Sequence, residues 1–152
     1  MRILYLGDQH FDYVSDPLYI GLSRVLGNER VVDYPYKRLY HDLEAKNWYM
    51  VQRPGVRYQR EEVLALLRDK GIDLVCVASF RSDCLQELQQ LYGQVPFPPL
   101  VFIDGADDAQ IRHEVSARYP LAIYFKRDYV WQMGNRWRDL NGLLWQFRGN
   151  FL

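Results

Sequence analysis

Five short apolar runs, separated by segments of helical periodicity, constrain the fold of this chain more than any other feature. They are RILYLG from Arg2, VVDY from Val31, DLVCVA from Asp73, LVFI from Leu100 and LAIYF from Leu121. Each run is continuous rather than alternating in polarity, which is typical of strands covered by helices on both faces of a parallel sheet. The pattern therefore indicates an α/β protein.

The segments between the runs have the spacing of amphipathic helices. Their sequences are DPLYIGLSRVLG, REEVLALLRDKG, SDCLQELQQLYG and DDAQIRHEVSARYP. Asp16 and Asp83 are expected to cap the first and the third helix, and Gly27 to end the first. Because crossovers between parallel strands are right-handed, this order predicts one doubly wound open sheet of about five strands over residues 1–130, Rossmann-like or flavodoxin-like.

Residues 131–152 follow a separate pattern. Apolar side chains recur there at intervals of four, three, four and three residues, at Met133, Trp137, Leu140, Leu144 and Phe147. This spacing predicts a C-terminal amphipathic helix, whose apolar face needs a cover. Packing on the α/β domain, on a partner domain, or on a second copy in a homodimer through Trp137 are the three arrangements left open.

Composition excludes several classes of function. The 19 basic and 19 acidic residues cancel, which argues against nucleic-acid binding through overall charge. No apolar run approaches the ~20 residues of a membrane span, and the first residues do not form a signal peptide, so a cytoplasmic location is expected. Cys76 and Cys84 lack metal-ligand spacing and are expected to be free thiols.

Polar side chains follow four of the five predicted strands. In open α/β sheets a ligand crevice lies beyond the carboxyl ends of the strands. The segment after the first strand, LGDQHFD, has the glycine spacing of neither a dinucleotide fingerprint nor a P-loop, and the three histidines are scattered, so we expect neither a cofactor nor a metal. The ligand-binding residues predicted for the crevice are Asp8, His10, Ser79, Arg81, Asp104, Lys126 and Arg127.

Asp8 and His10 are the candidates for a catalytic role. A histidine beside a carboxylate can act as a general base near neutral pH. The alternative is a turn in which Asp8 accepts hydrogen bonds from backbone amides and His10 is solvated. Both interpretations remain open at the level of sequence.

The connection between residues 36 and 60 mixes basic with aromatic side chains. Lys37, Arg38 and Arg57 stand among Tyr36 and Tyr40, a combination that can bind nucleic acid, sugars or phosphorylated groups by ion pairing and stacking. The alternative is an exposed excursion whose aromatic residues cover the edge of the sheet. A connection of about 25 residues is long for a compact domain, and long loops are often functional.

The stretch VFIDGADD, from Val101 to Asp108, combines a strand with three carboxylates. Asp104 is placed at the carboxyl end of the strand, where it can pair with Lys126 or Arg127 from the next strand. Asp107 has capping-box spacing, and Asp108 adds negative charge at the start of the same helix. Only Asp104 is therefore predicted to face a ligand.

VFIDGADD together with IYFKRDY resembles the N-terminal domain of bacterial glycosyltransferase-like proteins of the GT-B type, including the spore-maturation group. The matching residues are Asp104, Gly105, Asp107, Asp108, Phe125, Lys126 and Arg127. The resemblance implies a Rossmann-like domain on the acceptor side, with a nucleotide sugar or glycan as ligand. GT-B enzymes hold the sugar nucleotide mainly in a second Rossmann-like domain, and 152 residues leave no room for one.

The resemblance therefore predicts a glycosyltransferase-like N-terminal domain that is not a complete transferase alone. It would bind a sugar-containing or anionic ligand at the carboxyl edge of the sheet and depend on a second domain or partner. Two alternatives stand beside it: a non-enzymatic interaction module, and a flavodoxin-like cofactor binder.

Overall fold

A computed structural model describes residues 1–41, 55–106 and 111–127 of the chain. The strands are β1 (Ile3–Leu6), β2 (Val31–Tyr34), β3 (Leu74–Val77), β4 (Leu100–Asp104) and β5 (Ile123–Lys126). The helices are α1 (Ser15–Leu26), α2 (Arg38–His41), α3 (Arg60–Arg68), α4 (Ser82–Tyr92) and α5 (His113–Arg118), with a short 3-10 turn at Asn28–Arg30.

The five strands form one parallel sheet in the order β2-β1-β3-β4-β5. This confirms the predicted doubly wound α/β class. The order, which the sequence did not specify, is that of flavodoxin-like sheets, in which the direction of winding reverses between β1 and β3.

Two apolar layers cover the sheet. On the first face, side chains such as Leu6, Val77 and Phe102 pack with residues of α3, α4 and α5. On the second face, Tyr5 and Cys76 pack with α1 and α2. Side chains of β1 and β3 are buried in both layers, which is why these strands read as continuous apolar runs.

The ends of two helices differ from the sequence prediction. Gly27 ends α1 as expected, at φ 96°, a conformation that glycine adopts without strain. Asp16, however, lies inside the first turn of α1 and does not cap it. Asp12 accepts the N–H groups of Val14 and Ser15 at 2.8 and 2.7 Å instead. Asp83 likewise lies inside α4, and its Oδ1 accepts the N–H of the next residue at 3.0 Å.

Some sequence predictions lie outside the described residues. These are the C-terminal helix at 131–152, the helix start at Asp107 and Asp108, and most of the long connection, at 42–54. Within the described part, Cys76 and Cys84 are free and buried, and burial raises the pKa of both thiols to about 12. None of the described helices has the length and apolar character needed to cross a bilayer.

Candidate functional site

A cavity of about 230 Å³ opens at the carboxyl edge of the sheet. Loops that follow β1, β3 and β4 form its walls, so it lies beside the point where the winding reverses, where ligands bind in open α/β sheets. Its lining residues are Asp12, Ala78, Ser79, Phe80, Arg81, Ile103, Asp104, Gly105, Ala106 and Arg112. We call this cavity the edge cavity.

Asp8 joins three of the predicted residues into one cluster. Its Oδ1 accepts the backbone N–H of His10 at 2.7 Å and lies 3.2 Å from His10 Nδ1. Its Oδ2 accepts the Ser79 hydroxyl and lies 3.3 Å from Arg81 Nε. The backbone contact of the turn interpretation and the carboxylate–imidazole contact of the general-base interpretation are both present, and the catalytic role of His10 stays a prediction.

The carboxyl of Asp8 is held in its charged form. Burial alone raises the pKa of Asp8, but hydrogen bonds from Ser79 and from the His10 N–H, with the charges of Lys37 and Arg81, outweigh it. The net result is a pKa lowered from the ordinary value of 3.8. An ionised Asp8 orients a proton on His10 Nδ1 and leaves Nε2 of the exposed ring open to accept one.

Replacing Asp8 with asparagine is expected to remove a pH-dependent component of stability. A carboxyl whose folded pKa is lowered stabilises the fold above its unfolded value and loses that contribution as the pH falls through the folded value. The advantage of the wild type over Asp8→Asn should be constant above pH 3.8 and shrink below it. Urea unfolding across a pH series measures this, with the exposed Asp69→Asn as control; an advantage that does not shrink in acid contradicts it.

Asp104 organises the opposite wall of the edge cavity. It is 1% exposed, lies 3.3 Å from Lys126 Nζ, and accepts the Tyr124 hydroxyl and the N–H of Ala106. Burial and the hydrogen bond to Asp104 raise the pKa of Tyr124, so its hydroxyl stays protonated and donates. The predicted pairing of Asp104 with the next strand is therefore present through Lys126.

Arg127 takes a different position from the one its sequence spacing suggested. Its backbone N–H donates to the Asp104 carbonyl at 2.9 Å, while its guanidinium lies 4.6 Å from the ring centre of Tyr13. Together, Lys126 and Arg127 brace the turn after β4, because Lys126 Nζ also donates to the Ala106 carbonyl at 2.8 Å. They support the wall of the edge cavity from behind.

A buried ion pair, which sequence reasoning missed, fixes the loop after β1. Lys37 is 2% exposed and its Nζ lies 2.6 Å from Oδ1 of Asp16, which is 0% exposed. Lys37 Nζ also donates to the His10 carbonyl, and Tyr40 donates to Asp16 at 2.7 Å. Lys37 and Tyr40, at the described start of the basic and aromatic connection, are thus part of the core, whereas Arg38 between them is exposed. No local signal distinguished Lys37 from a surface lysine.

Asp33 forms a second buried contact beside this pair. Its Oδ2 accepts the Lys37 N–H at 2.6 Å and lies 3.1 Å from His41 Nε2. Burial raises the pKa of Asp33, and His41 and the Lys37 N–H offset part of that effect. These contacts hold α2 against β2, so His41 has a structural role rather than a place in the crevice.

The predicted site residues thus divide into those that line the edge cavity and those that support its walls. Ser79, Arg81 and Asp104 line the edge cavity directly. Asp8 and Lys126 stand behind its walls, and Arg112, which the sequence did not single out, lines it from the segment before α5. Arg112 Nε lies 4.0 Å from Asp104 Oδ2, and its guanidinium lies 5.5 Å from the centre of the Phe80 ring.

Two further tests bear on the chemistry of the site. Within the residues that the structure describes, no group of three or more His, Cys, Asp or Glu side chains is placed to hold a metal ion. None of the protein-family models, curated proteins and solved structures with which the chain was compared matches it. The functional argument therefore depends on the geometry of the edge cavity.

Proposed function

We propose that the edge cavity binds the anionic or sugar-containing group of a small ligand, as in a glycosyltransferase-like N-terminal domain. Arg81 is the observation that carries this proposal. Its Nε faces Asp8 at 3.3 Å, and its side chain is 53% exposed. Among the described residues, the two terminal guanidinium nitrogens have no partner, so they can form a paired hydrogen bond to a phosphate or carboxylate.

The surroundings of Arg81 favour an anion. Arg81 immediately precedes α4, an 11-residue helix, so the N–H groups of Ser82 and Asp83 at the positive end of that helix lie next to it. Arg112 lines the same cavity and adds a second guanidinium. Asp12, on another wall, supplies a carboxylate that can accept hydrogen bonds from sugar hydroxyls.

The size of the edge cavity limits what it encloses. Pockets that hold a whole drug-sized ligand usually measure about 300–1,000 Å³. A cavity of about 230 Å³ accommodates one phosphate or one monosaccharide unit. A nucleotide sugar would place only one of its groups there and extend onto the surface or toward a second Rossmann-like domain, which is consistent with a chain that needs a partner for transfer.

His10 and Asp8 would supply the proton chemistry if such transfer occurs. Asp8 orients the proton on Nδ1, so Nε2 would accept the proton of an acceptor hydroxyl as its oxygen bonds to the anomeric carbon of the sugar. The bond from that carbon to the diphosphate would break in the same step, and the nucleoside diphosphate would leave. His10 is the better candidate for that base because Asp8 is buried and already faces four donor groups, from the His10 backbone, the His10 ring, Ser79 and Arg81.

A ligand panel tests the binding proposal. Hexose phosphates and nucleoside diphosphate sugars are expected to raise the melting temperature of the wild type. Arg81→Gln should weaken that binding by roughly 10- to 100-fold, because hydrogen bonds to a charged group contribute about 1.5–3 kcal/mol. Arg24→Gln, at an exposed arginine of α1, is the matched control and should bind as the wild type does. No stabilisation by any compound, or equal loss in both variants, contradicts the proposal.

The strand order supports a second candidate, a flavodoxin-like cofactor binder. The same 2-1-3-4-5 order places FMN at the β1/β3 reversal in flavodoxin-like folds. The edge cavity is small for an enclosed flavin, which favours the sugar or anion ligand. Visible absorbance of the purified protein separates the two, since a bound flavin is yellow.

A further inference from the structure

A second cavity, of about 480 Å³, opens at the amino edge of the sheet, opposite the edge cavity. It lies where β4 and β5 begin, between the C-terminal end of α4 and the turn that follows α5. Its lining residues are Tyr92, Phe97, Pro98, Pro99, Leu100, Tyr119, Pro120, Leu121, Ala122 and Ile123. We call it the apolar cavity, because none of these side chains is charged.

The walls of the apolar cavity are ordered by contacts among themselves. The rings of Tyr92 and Tyr119 meet edge to face with their centres 4.9 Å apart, and the Phe97 ring centre lies 5.1 Å from that of Tyr92. Three of the lining residues are prolines, whose fixed φ restricts the connecting segments that carry them. A site whose walls are already ordered loses little conformational entropy when a ligand enters.

One polar group in this wall lacks a partner in the described part of the chain. Tyr119 is 5% exposed, and no described residue forms a hydrogen bond with its hydroxyl. Burial raises the pKa of Tyr119, so the hydroxyl keeps its proton. A polar group is costly to bury without a hydrogen bond. A molecule in the apolar cavity that accepts a hydrogen bond from Tyr119 would remove that cost.

We propose that the apolar cavity binds a small neutral molecule that contains an aromatic ring and a hydrogen-bond acceptor. The ring would extend the row formed by Tyr92, Phe97 and Tyr119, because aromatic pairs favour edge-to-face and offset contacts at these separations. The acceptor would receive the hydrogen bond of the Tyr119 hydroxyl. An ionic ligand is disfavoured, since no side chain that lines the cavity carries a charge to replace its lost hydration.

The volume and the rim of the apolar cavity agree with this class of ligand. A volume of about 480 Å³ lies within the range of about 300–1,000 Å³ that is usual for small-molecule sites. At the rim, Leu121 is 82% exposed and Ile123 is 39% exposed, so a bound ring would remove apolar surface of both from water. The apolar cavity shares no lining residue with the edge cavity, so the two sites can be tested separately.

An NMR titration of the 15N-labelled full chain with acetophenone, a neutral aryl ketone, tests this site. We expect chemical-shift changes at the backbone amides of Leu121 and Ile123, and none at the amides that line the edge cavity. Tyr119→Phe removes only the hydroxyl and should weaken acetophenone binding by roughly 3- to 10-fold, the range expected for one hydrogen bond. Ethylbenzene, which has the ring but no acceptor, should bind the two forms equally.

Two exposed positions supply a matched pair of charge variants. Leu121→Asp and Val25→Asp each replace a side chain that is 82% exposed, so both should keep the fold. Leu121→Asp should weaken acetophenone binding by roughly fivefold or more, because less apolar surface remains at the rim. Val25→Asp, in α1, should bind acetophenone as the wild type does.

Four results would overturn the proposal. The first is an absence of chemical-shift changes in the wild type at millimolar acetophenone. The second is equal weakening of acetophenone and ethylbenzene by Tyr119→Phe. The third is benzoate binding as tightly as acetophenone, which would indicate a site for charged ligands. The fourth is acetophenone binding that appears only on dilution of the protein, which would show that a second copy occupies the cavity.

Discussion

Replacing Lys37 with methionine is expected to lower the free energy of unfolding by about 3–5 kcal/mol. The change leaves the carboxylate of Asp16, which is 0% exposed, buried without its 2.6 Å cation. Removing one member of a buried ion pair costs this much because the remaining charge is neither solvated nor paired. Urea unfolding monitored by circular dichroism measures the loss, and Arg38→Met, at the exposed neighbouring position, should cost less than about 1 kcal/mol.

A double variant separates the charge effect from lost packing. Asp16→Leu with Lys37→Met removes both charges, so it should be destabilised by less than the sum of the two single variants. The loss in the double variant should be smaller than the sum of the two single losses by about 1–3 kcal/mol, a range found for residues in one network. Additive losses would show that the two side chains act independently. Lys37 Nζ also donates a hydrogen bond to the His10 carbonyl. Lys37→Met alone should therefore weaken ligand binding at the edge cavity as well.

Asp104→Ala is expected to cost about 3 kcal/mol of stability. Lys126, whose side chain is 4% exposed, would lose the carboxylate 3.3 Å from its Nζ, while its hydrogen bond to the Ala106 carbonyl would remain. The Tyr124 hydroxyl would lose its acceptor at the same time. Truncating one partner of a buried, hydrogen-bonded charge pair costs this order of magnitude. Chemical unfolding measures it.

Two comparisons sharpen the Asp104 result. Asp69→Ala, at an exposed position after α3, should change stability by less than about 0.5 kcal/mol. Adding Lys126→Met to Asp104→Ala should recover part of the loss, since no buried charge then remains. A loss below about 1 kcal/mol for Asp104→Ala would contradict the view that this cluster braces the wall of the edge cavity.

The fold could be predicted from the sequence because its signals are local and repeated. Runs such as LVCV in β3 and LVFID in β4 are apolar throughout, as burial on two faces requires. The strand order could not be read, because all right-handed doubly wound orders give the same pattern of runs. The contact of Asp8 with Ser79, 71 residues apart, was foreseen only through the rule that strand ends meet at one edge.

The features that the sequence did not reveal depend on tertiary contacts. Asp16 before Pro17 has the sequence pattern of a helix cap, yet its side chain is buried in an ion pair with Lys37, 21 positions later. Lys37 stands among tyrosines in a segment that suggested a binding surface, and nothing in its neighbours indicates 2% exposure. Arg112 was read only as a helix residue, and its place in the cavity wall depends on how β4 and α5 meet.

The most direct test of the central claim is an NMR titration of the 15N-labelled protein with a hexose phosphate. The account predicts chemical-shift changes concentrated at the backbone amides of Ser79, Arg81 and Ala106, which line the edge cavity, and their loss in Arg81→Gln. The fold of that variant is checked from its unchanged remaining peaks. The account would be contradicted if no chemical shifts change at hexose phosphate concentrations that saturate the rise in melting temperature. Shifts confined to the opposite edge of the sheet would contradict it as well.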